Sequence, residues 1–199
     1  MRKWGIPGLI ALLAILGYVG YATVQQNGLR AEAQKELRAQ EPEMRECEAR
    51  LRQFYQAVQG YQKDHRGALP PKVEALYPRY VKEGKLFFCP TAERAQGRRA
   101  TISQGQIEVN GRKFPVTYGF RWLTGGYARG LKKMGDAVPF IICDAHREAL
   151  YQAVYRRPVP QDAFAEEKRN GLIPEVRDAK MLVIRKNGTV DRIAADQDL

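Results

Sequence analysis

The most apolar part of the chain lies near its amino terminus. From Gly5 to Val24 the sequence contains no charged side chain, and a helix needs about 20 such residues to cross a bilayer. Arg2 and Lys3 precede this run, and cationic flanks stay on the cytoplasmic side of a membrane. The pattern predicts a single-pass membrane protein, with residues 1–4 cytoplasmic, residues 5–24 in contact with lipid, and the remainder periplasmic or extracellular.

A cleaved secretory signal is the alternative interpretation of the same run. Gly20, Tyr21 and Ala22 place small residues where signal peptidase would cut. Both interpretations place residues 25–199 outside the cytoplasm.

The next segment, residues 25–46, is polar and rich in Ala, Glu, Gln, Lys and Arg. These are good helix formers, and the segment shows no strong apolar face. It is predicted to be a solvated helical stalk. Pro42 suits the first turn of a helix, so either a second helix begins there or one long helix kinks.

The clearest amphipathic helix follows the stalk. Apolar residues recur at spacings of four, three, four and three, which places them on one face of a helix. The helix is predicted to end near Asp64, because Pro70 and Pro71 prevent its continuation. The predicted core face consists of Cys47, Leu51, Phe54, Val58 and Tyr61.

Beyond Pro71 the pattern changes to short elements. Asn187-Gly188 lies between two apolar-rich runs and predicts a hairpin with a type I′ turn, whereas residues 156–179 are predicted to form a long loop. The fold class is therefore α+β: a long N-terminal helix, transmembrane in its first part and amphipathic in its second, packs on a small antiparallel sheet that ends in a C-terminal β-hairpin. The globular domain is predicted over residues 47–199. Strands are predicted at residues 86–89, 113–122, 138–143, 181–186 and 189–193.

Three cysteines offer two kinds of chemistry. In an oxidising compartment two cysteines usually pair. Cys89 and Cys143 end strand-like runs and are predicted to form a disulfide, which leaves Cys47 free in the core. Metal ligation is the alternative, but the chain has only two histidines and no CxxC pair. The sequence therefore predicts no metal and no cofactor.

Catalysis is not predicted either. Cys143, Asp144 and His146 are residue types found in triads, but real triads are assembled from separate parts of a fold. Successive side chains of a strand also point to opposite faces. The sequence contains no HExxH and no phosphate-binding glycine loop, so neither an enzyme nor a small-molecule substrate is expected.

The net charge of +11 is large for a chain of 199 residues. Basic residues are concentrated in the middle third, where they are candidates for a surface that binds DNA, polysaccharide or lipid head groups. An evenly solvated basic surface is the alternative. The candidate residues are Arg94, Arg98, Arg99, Arg112, Lys113, Arg129, Lys132 and Lys133.

Several short motifs resemble the type IV pilin-like family, especially pseudopilins of the type II secretion G type. The start of the chain is similar to a short prepilin leader cut between Gly5 and Ile6. The segment from Cys47 to Tyr61, the turn that ends at Pro70, and the arrangement Cys-Pro, Tyr118 and Cys-x-x-His are also similar to that family. The resemblance implies a structural subunit that packs against other pilin-like subunits through its N-terminal helix, as a minor component of a secretion or pilus assembly.

The chain departs from the family at one informative place. Family leaders are typically followed by a glutamate at the fifth position, and the resemblance implies that this carboxylate neutralises the amine of a neighbouring subunit. Ile10 stands at that place here, and the family's calcium loop has no counterpart. The alternative function is a singly anchored binding module with a basic surface for anionic ligands.

Overall fold

The computed structural model describes residues 7–97, 102, 105–160 and 162–194. A single long helix leads into a head of short helices and two antiparallel sheets. Four short 3-10 turns connect these elements. In chain order the elements are α1 (Pro7–Asp64), α2 (Pro90–Gly97), β1 (Gly105–Val109), β2 (Arg112–Val116), β3 (Tyr118–Phe120), α3 (Tyr127–Met134), β4 (Pro139–Cys143), α4 (Ala145–Tyr155), α5 (Glu166–Arg169), α6 (Pro174–Arg177), β5 (Lys180–Arg185) and β6 (Val190–Ala194).

The main sheet has the strand order β3-β4-β5-β6, and every neighbouring pair is antiparallel. Its register places Tyr118 opposite Cys143 and Val183 opposite Ile142. Helix α1 packs on β4, β5 and β6, while β1 and β2 form a separate hairpin. The α+β class and the C-terminal hairpin therefore agree with the sequence pattern.

The second half of α1 supplies the main apolar face of the core. Cys47, Leu51, Phe54 and Val58 are all at most 1 % exposed, whereas Tyr61 is only partly buried. The Phe54 ring lies 5.1 Å from the centroids of both Phe87 and Tyr118. Aromatic contacts of this kind stabilise the core beyond simple burial. The helix ends at Asp64, close to the predicted position, and the chain then turns through positive φ angles of 55° at Arg66 and 85° at Gly67.

Residues 25–46 do not form the solvated stalk that the sequence predicts. Helix α1 continues without interruption through Pro42, and from Ala33 onward its inner face packs on α4 and α6. Glu36 and Gln40 on this face are 4 % and 2 % exposed. The hydropathy pattern did not predict this contact because the buried side chains are small or polar. The polar side chains form hydrogen bonds inside the head.

The first part of α1 extends away from the head. Its large apolar residues are more than half exposed from Ile10 to Val24, and Gln25, Gln26 and Asn27 follow at once. In the part of the chain that the structure describes, no helix combines the length and the apolar character that crossing a membrane requires. The prediction of a single-pass membrane protein anchored by residues 5–24 is therefore wrong.

The type I′ turn lies in a different hairpin from the one in which the sequence predicts it. Around Asn187-Gly188, Gly188 donates to the Arg185 carbonyl and Arg185 to the Thr189 carbonyl. Of the Asn-Gly pair, Gly188 has a positive φ of 86° and Asn187 does not, so the connection is a three-residue loop. The type I′ pair is instead Asn110-Gly111, with φ of 52° and 72°, which joins β1 to β2.

Candidate metal centre

Four soft side chains meet in the core beneath α1. The ligand atoms of Cys47, Cys89, Cys143 and His146 all lie within 4.8 Å of one another, and all four residues are buried. Cys47 comes from the second half of α1, Cys89 from the residue before α2, Cys143 from the end of β4, and His146 from the first turn of α4. Four separate elements therefore converge on one point.

The three cysteines are free thiols, so the predicted disulfide between Cys89 and Cys143 is wrong. Cys47, expected to stand apart, joins them. A disulfide brings two sulfur atoms to about 2.05 Å and leaves a third thiol out. The present arrangement instead holds three sulfurs and one imidazole at non-bonded contact around a common centre.

The imidazole of His146 has a defined tautomer. Its Nδ1 lies 2.8 Å from the Thr91 hydroxyl, and that hydroxyl donates its only proton to Glu43 over 2.7 Å. The Thr91 oxygen must therefore accept from Nδ1–H. In the neutral imidazole, Nε2 then carries no proton and presents its lone pair to the cluster, 3.6 Å from the Cys89 sulfur.

A second polar contact fixes the backbone at His146. Gln40 on α1 donates from Nε2 to the His146 carbonyl at 3.1 Å, and also to Glu36 at 3.0 Å. Arg94 on α2 binds both Glu36 and Glu43. The imidazole is thus held on its outer side by a buried network that reaches three helices.

The surroundings shift the pKa values of the three thiols in different directions. Burial raises the pKa of Cys47 and of Cys143 well above the ordinary range. Burial acts in the same direction on Cys89, but hydrogen bonds from the Cys143 and Cys47 thiols lower its pKa, which lies well below that range. The Tyr118 hydroxyl lies 3.3 Å from the Cys47 sulfur.

The basic residues predicted to form one surface lie on several elements of the fold. Arg94 faces inward and is neutralised by two glutamates. Arg98 and Arg99 lie outside the described residues. The remaining candidates are exposed and belong to two separate elements: Arg112 and Lys113 to β2, and Arg129, Lys132 and Lys133 to α3. Lys113 stands opposite Glu108 in the β1–β2 hairpin.

The predicted leader site also lies outside the described residues, which begin after Gly5 and Ile6. Ile10, at the place of the expected glutamate, is 62 % exposed on α1.

Sequence reasoning missed the cluster because it looked for ligands at close spacing. The pair Cys143 and His146 was visible as Cys-x-x-His, but a continuous strand would have pointed the two side chains apart. In the structure β4 ends at Cys143 and α4 begins at Ala145. This junction turns both side chains to the same side.

Comparison with known proteins adds no relative. No family model matches the chain, and neither the curated proteins nor the solved structures contain a significant match to it.

Proposed function

We propose that the chain is a structural subunit that assembles with pilin-like subunits through the first part of α1, as the resemblance to that family implies. The observation that carries the proposal is the exposure of large apolar side chains along this arm, defined here as residues 10–24. The exposed residues are Ile10, Leu12, Leu13, Ile15, Leu16, Tyr18, Val19, Tyr21 and Val24.

These side chains surround the helix. Successive residues of an α-helix turn by about 100°, so Ile10, Leu12 and Leu13 face three different directions. A groove on one partner would cover only one side of such a helix. A helix that is apolar on every side is normally enclosed, and several neighbouring helices provide that enclosure. The arm therefore fits a bundle of equivalent arms better than a single docking site.

The composition of the arm also suits close packing. No charged residue occurs from Ile10 to Leu29, so parallel arms do not repel one another. A side chain added at Gly17 or Gly20 would meet open space within this chain. Small residues one turn apart allow helices to approach closely. The head is attached to the same helix from about Leu29 onward, so assembled arms would display heads around them.

The proposal is tested by sedimentation of the full chain in buffer without detergent. In the absence of related subunits, the arms are expected to associate with one another into small oligomers. The double variant Leu13→Glu, Leu16→Glu places charge on the arm and should sediment as a monomer. Gln25→Glu, Gln26→Glu adds the same charge just beyond the arm and should leave the oligomers intact. A monomeric natural chain, or an oligomer that is insensitive to the Leu13 and Leu16 changes, would contradict the proposal.

A further inference from the structure

We propose that Cys47, Cys89, Cys143 and His146 bind one Zn²⁺ ion as a closed structural site. The inference concerns the head of the molecule and is independent of assembly through the arm.

The donor set favours zinc. Three thiolates and one imidazole form one of the common ligand sets of structural zinc sites, which are almost always tetrahedral. Soft sulfur donors select against Mg²⁺ and Ca²⁺, which prefer oxygen. Clusters of iron and sulfide are usually held by four cysteines and must fit inorganic sulfide between their ligands. An imidazole and donor atoms within 4.8 Å of one another suit a single ion better.

The distances agree with this assignment. With Zn–S of about 2.3 Å and Zn–N of about 2.0 to 2.1 Å, a tetrahedral angle separates sulfur from nitrogen by about 3.6 Å. The Cys89 sulfur and the His146 Nε2 are 3.6 Å apart. The same geometry separates two sulfurs by about 3.8 Å, which lies within the observed limit.

The surroundings of His146 are those of a metal ligand. Histidines that ligate a metal through one nitrogen almost always donate from the other to a fixed acceptor. Here Nδ1–H donates to Thr91, which is 0 % exposed and is held in turn by Glu43. The free nitrogen, Nε2, is the one that faces the three sulfurs.

Four protein ligands and complete burial leave no open position for water or substrate. The site is therefore structural rather than catalytic. It ties α1 to α2, β4 and α4, which are elements far apart in sequence. Because a site of this kind does not exist in the unfolded chain, zinc binding adds to the free energy of folding.

The experiment uses the full chain, freed of metal by a chelator under reducing conditions. Zinc content after reconstitution should be one ion per chain. Reconstitution with Co²⁺ should give the intense visible bands of tetrahedral cobalt and a near-ultraviolet charge-transfer band from three thiolates. His146→Cys keeps four ligands, so it should still bind one Co²⁺, with a stronger charge-transfer band. His65→Ala changes the other histidine, which is exposed and stacks on Tyr61, and should leave the spectrum unchanged.

Thiol reactivity gives a second measurement that does not depend on a variant. With zinc bound, the three thiols should react with a thiol reagent at least tenfold more slowly than after chelation. Three results would overturn the proposal: reconstituted chain without stoichiometric metal, the weak bands of octahedral cobalt, or a disulfide between any two of the cysteines in a non-reducing peptide map.

Discussion

The hydroxyl of Thr91 lies 2.8 Å from Nδ1 of His146 and donates a hydrogen bond to the carboxylate of Glu43. Thr91→Val keeps the shape of the side chain but removes the acceptor for Nδ1–H. Loss of such an outer contact typically weakens metal binding about 10- to 100-fold. Competition with a chelator of known affinity measures the change, and the cobalt spectrum should keep its tetrahedral form. Thr124→Val, at an exposed hydroxyl bonded to the Arg121 carbonyl, should have no effect; equal affinity in both variants would contradict this role.

Phe54 is the most connected aromatic residue of the α1 face, with ring contacts to Phe87, Tyr118 and Phe120. Phe54→Ala should reduce the free energy of unfolding by roughly 3 to 5 kcal/mol, because it removes apolar contact and leaves a cavity. Urea denaturation of the full chain measures the loss. Leu123→Ala, at a residue 42 % exposed, is the control and should change stability little. An unchanged midpoint for Phe54→Ala would show that this face of α1 is not the core face.

Arg94 neutralises two glutamates that are nearly buried, since the side chains of Glu36 and Glu43 are 5 % and 16 % exposed. Arg94→Met leaves both carboxylates without this partner. The free energy of unfolding should fall by about 3 kcal/mol, the lower end of the range for breaking a buried ion pair. The lower end applies because Arg94 itself is partly exposed. Denaturation measures the cost. Arg129→Met, at an exposed residue of α3, should change stability by no more than about 0.5 kcal/mol. Equal effects would assign Arg94 to the surface instead.

Glu41 on α1 joins Arg192 on β6. The hydrogen bond from Arg192 is the main cause that lowers the pKa of Glu41 below its ordinary value of 4.5. A lowered carboxyl pKa gives stability that is present above about pH 4.5 and is lost as the pH falls through the folded-state pKa. A double-mutant cycle with Glu41→Gln and Arg192→Gln should show a coupling of roughly 0.2 to 1 kcal/mol at pH 7, because both groups are exposed. The coupling should shrink as the pH falls through the folded-state pKa of Glu41; a coupling that grows on acidification would reverse the assignment.

Ile10 supplies no carboxylate to a neighbouring subunit. An unpaired charge inside an apolar helical core costs several kcal/mol. If the leader were cut after Gly5, the new amino-terminal amine would need a carboxylate partner, and other copies of this chain offer none at position 10. We therefore expect no long filaments made of this chain alone. Electron microscopy of cells that express it together with a prepilin peptidase tests the expectation. Ile10→Glu is the informative variant, because filaments that appear only with the glutamate would identify position 10 as the cause. Abundant filaments of the natural chain would contradict the expectation.

Periodicity predicted the helix and its end well. The spacing of Leu51, Phe54 and Val58 matches the buried face, and the predicted end near Asp64 is confirmed. Hydrophobic periodicity did not predict the buried part of α1 in which the buried side chains are small or polar. Ala33, Glu36 and Gln40 form a contact face of small and polar residues, and no hydropathy pattern distinguishes such a face from a solvated one.

Strand predictions failed where the chain changes sheets. The predicted strand over residues 113–122 is divided between β2, which pairs with β1, and β3, which pairs with β4. The predicted strand at residues 86–89 contains the end of a 3-10 turn instead. Both outcomes depend on tertiary pairing, which a local window does not contain.

The metal site lay beyond sequence reasoning for the same reason. Cys89 and His146 are 57 residues apart in sequence. Cys47 lies on the same face of α1 as the core residues Leu51, Phe54 and Val58, so the sequence does not distinguish it from them. The detectable signal was the short pair Cys143 and His146, but recognising it required knowing that a strand gives way to a helix between them. Single-chain spacing rules find zinc ligands only where the ligands are local.

Helix α1 is one continuous helix from the arm to the core, and Cys47 lies within it. Its 58 residues extend over about 87 Å at 1.5 Å per residue. The angular position of the head about the arm is therefore determined by residue count alone. One residue inserted after Gln26 would turn every head by about 100° and shift it by about 1.5 Å relative to the packed arms, without changing a contact within either part. In an assembly of packed arms, the length of this uninterrupted helix would determine how neighbouring heads are oriented relative to one another.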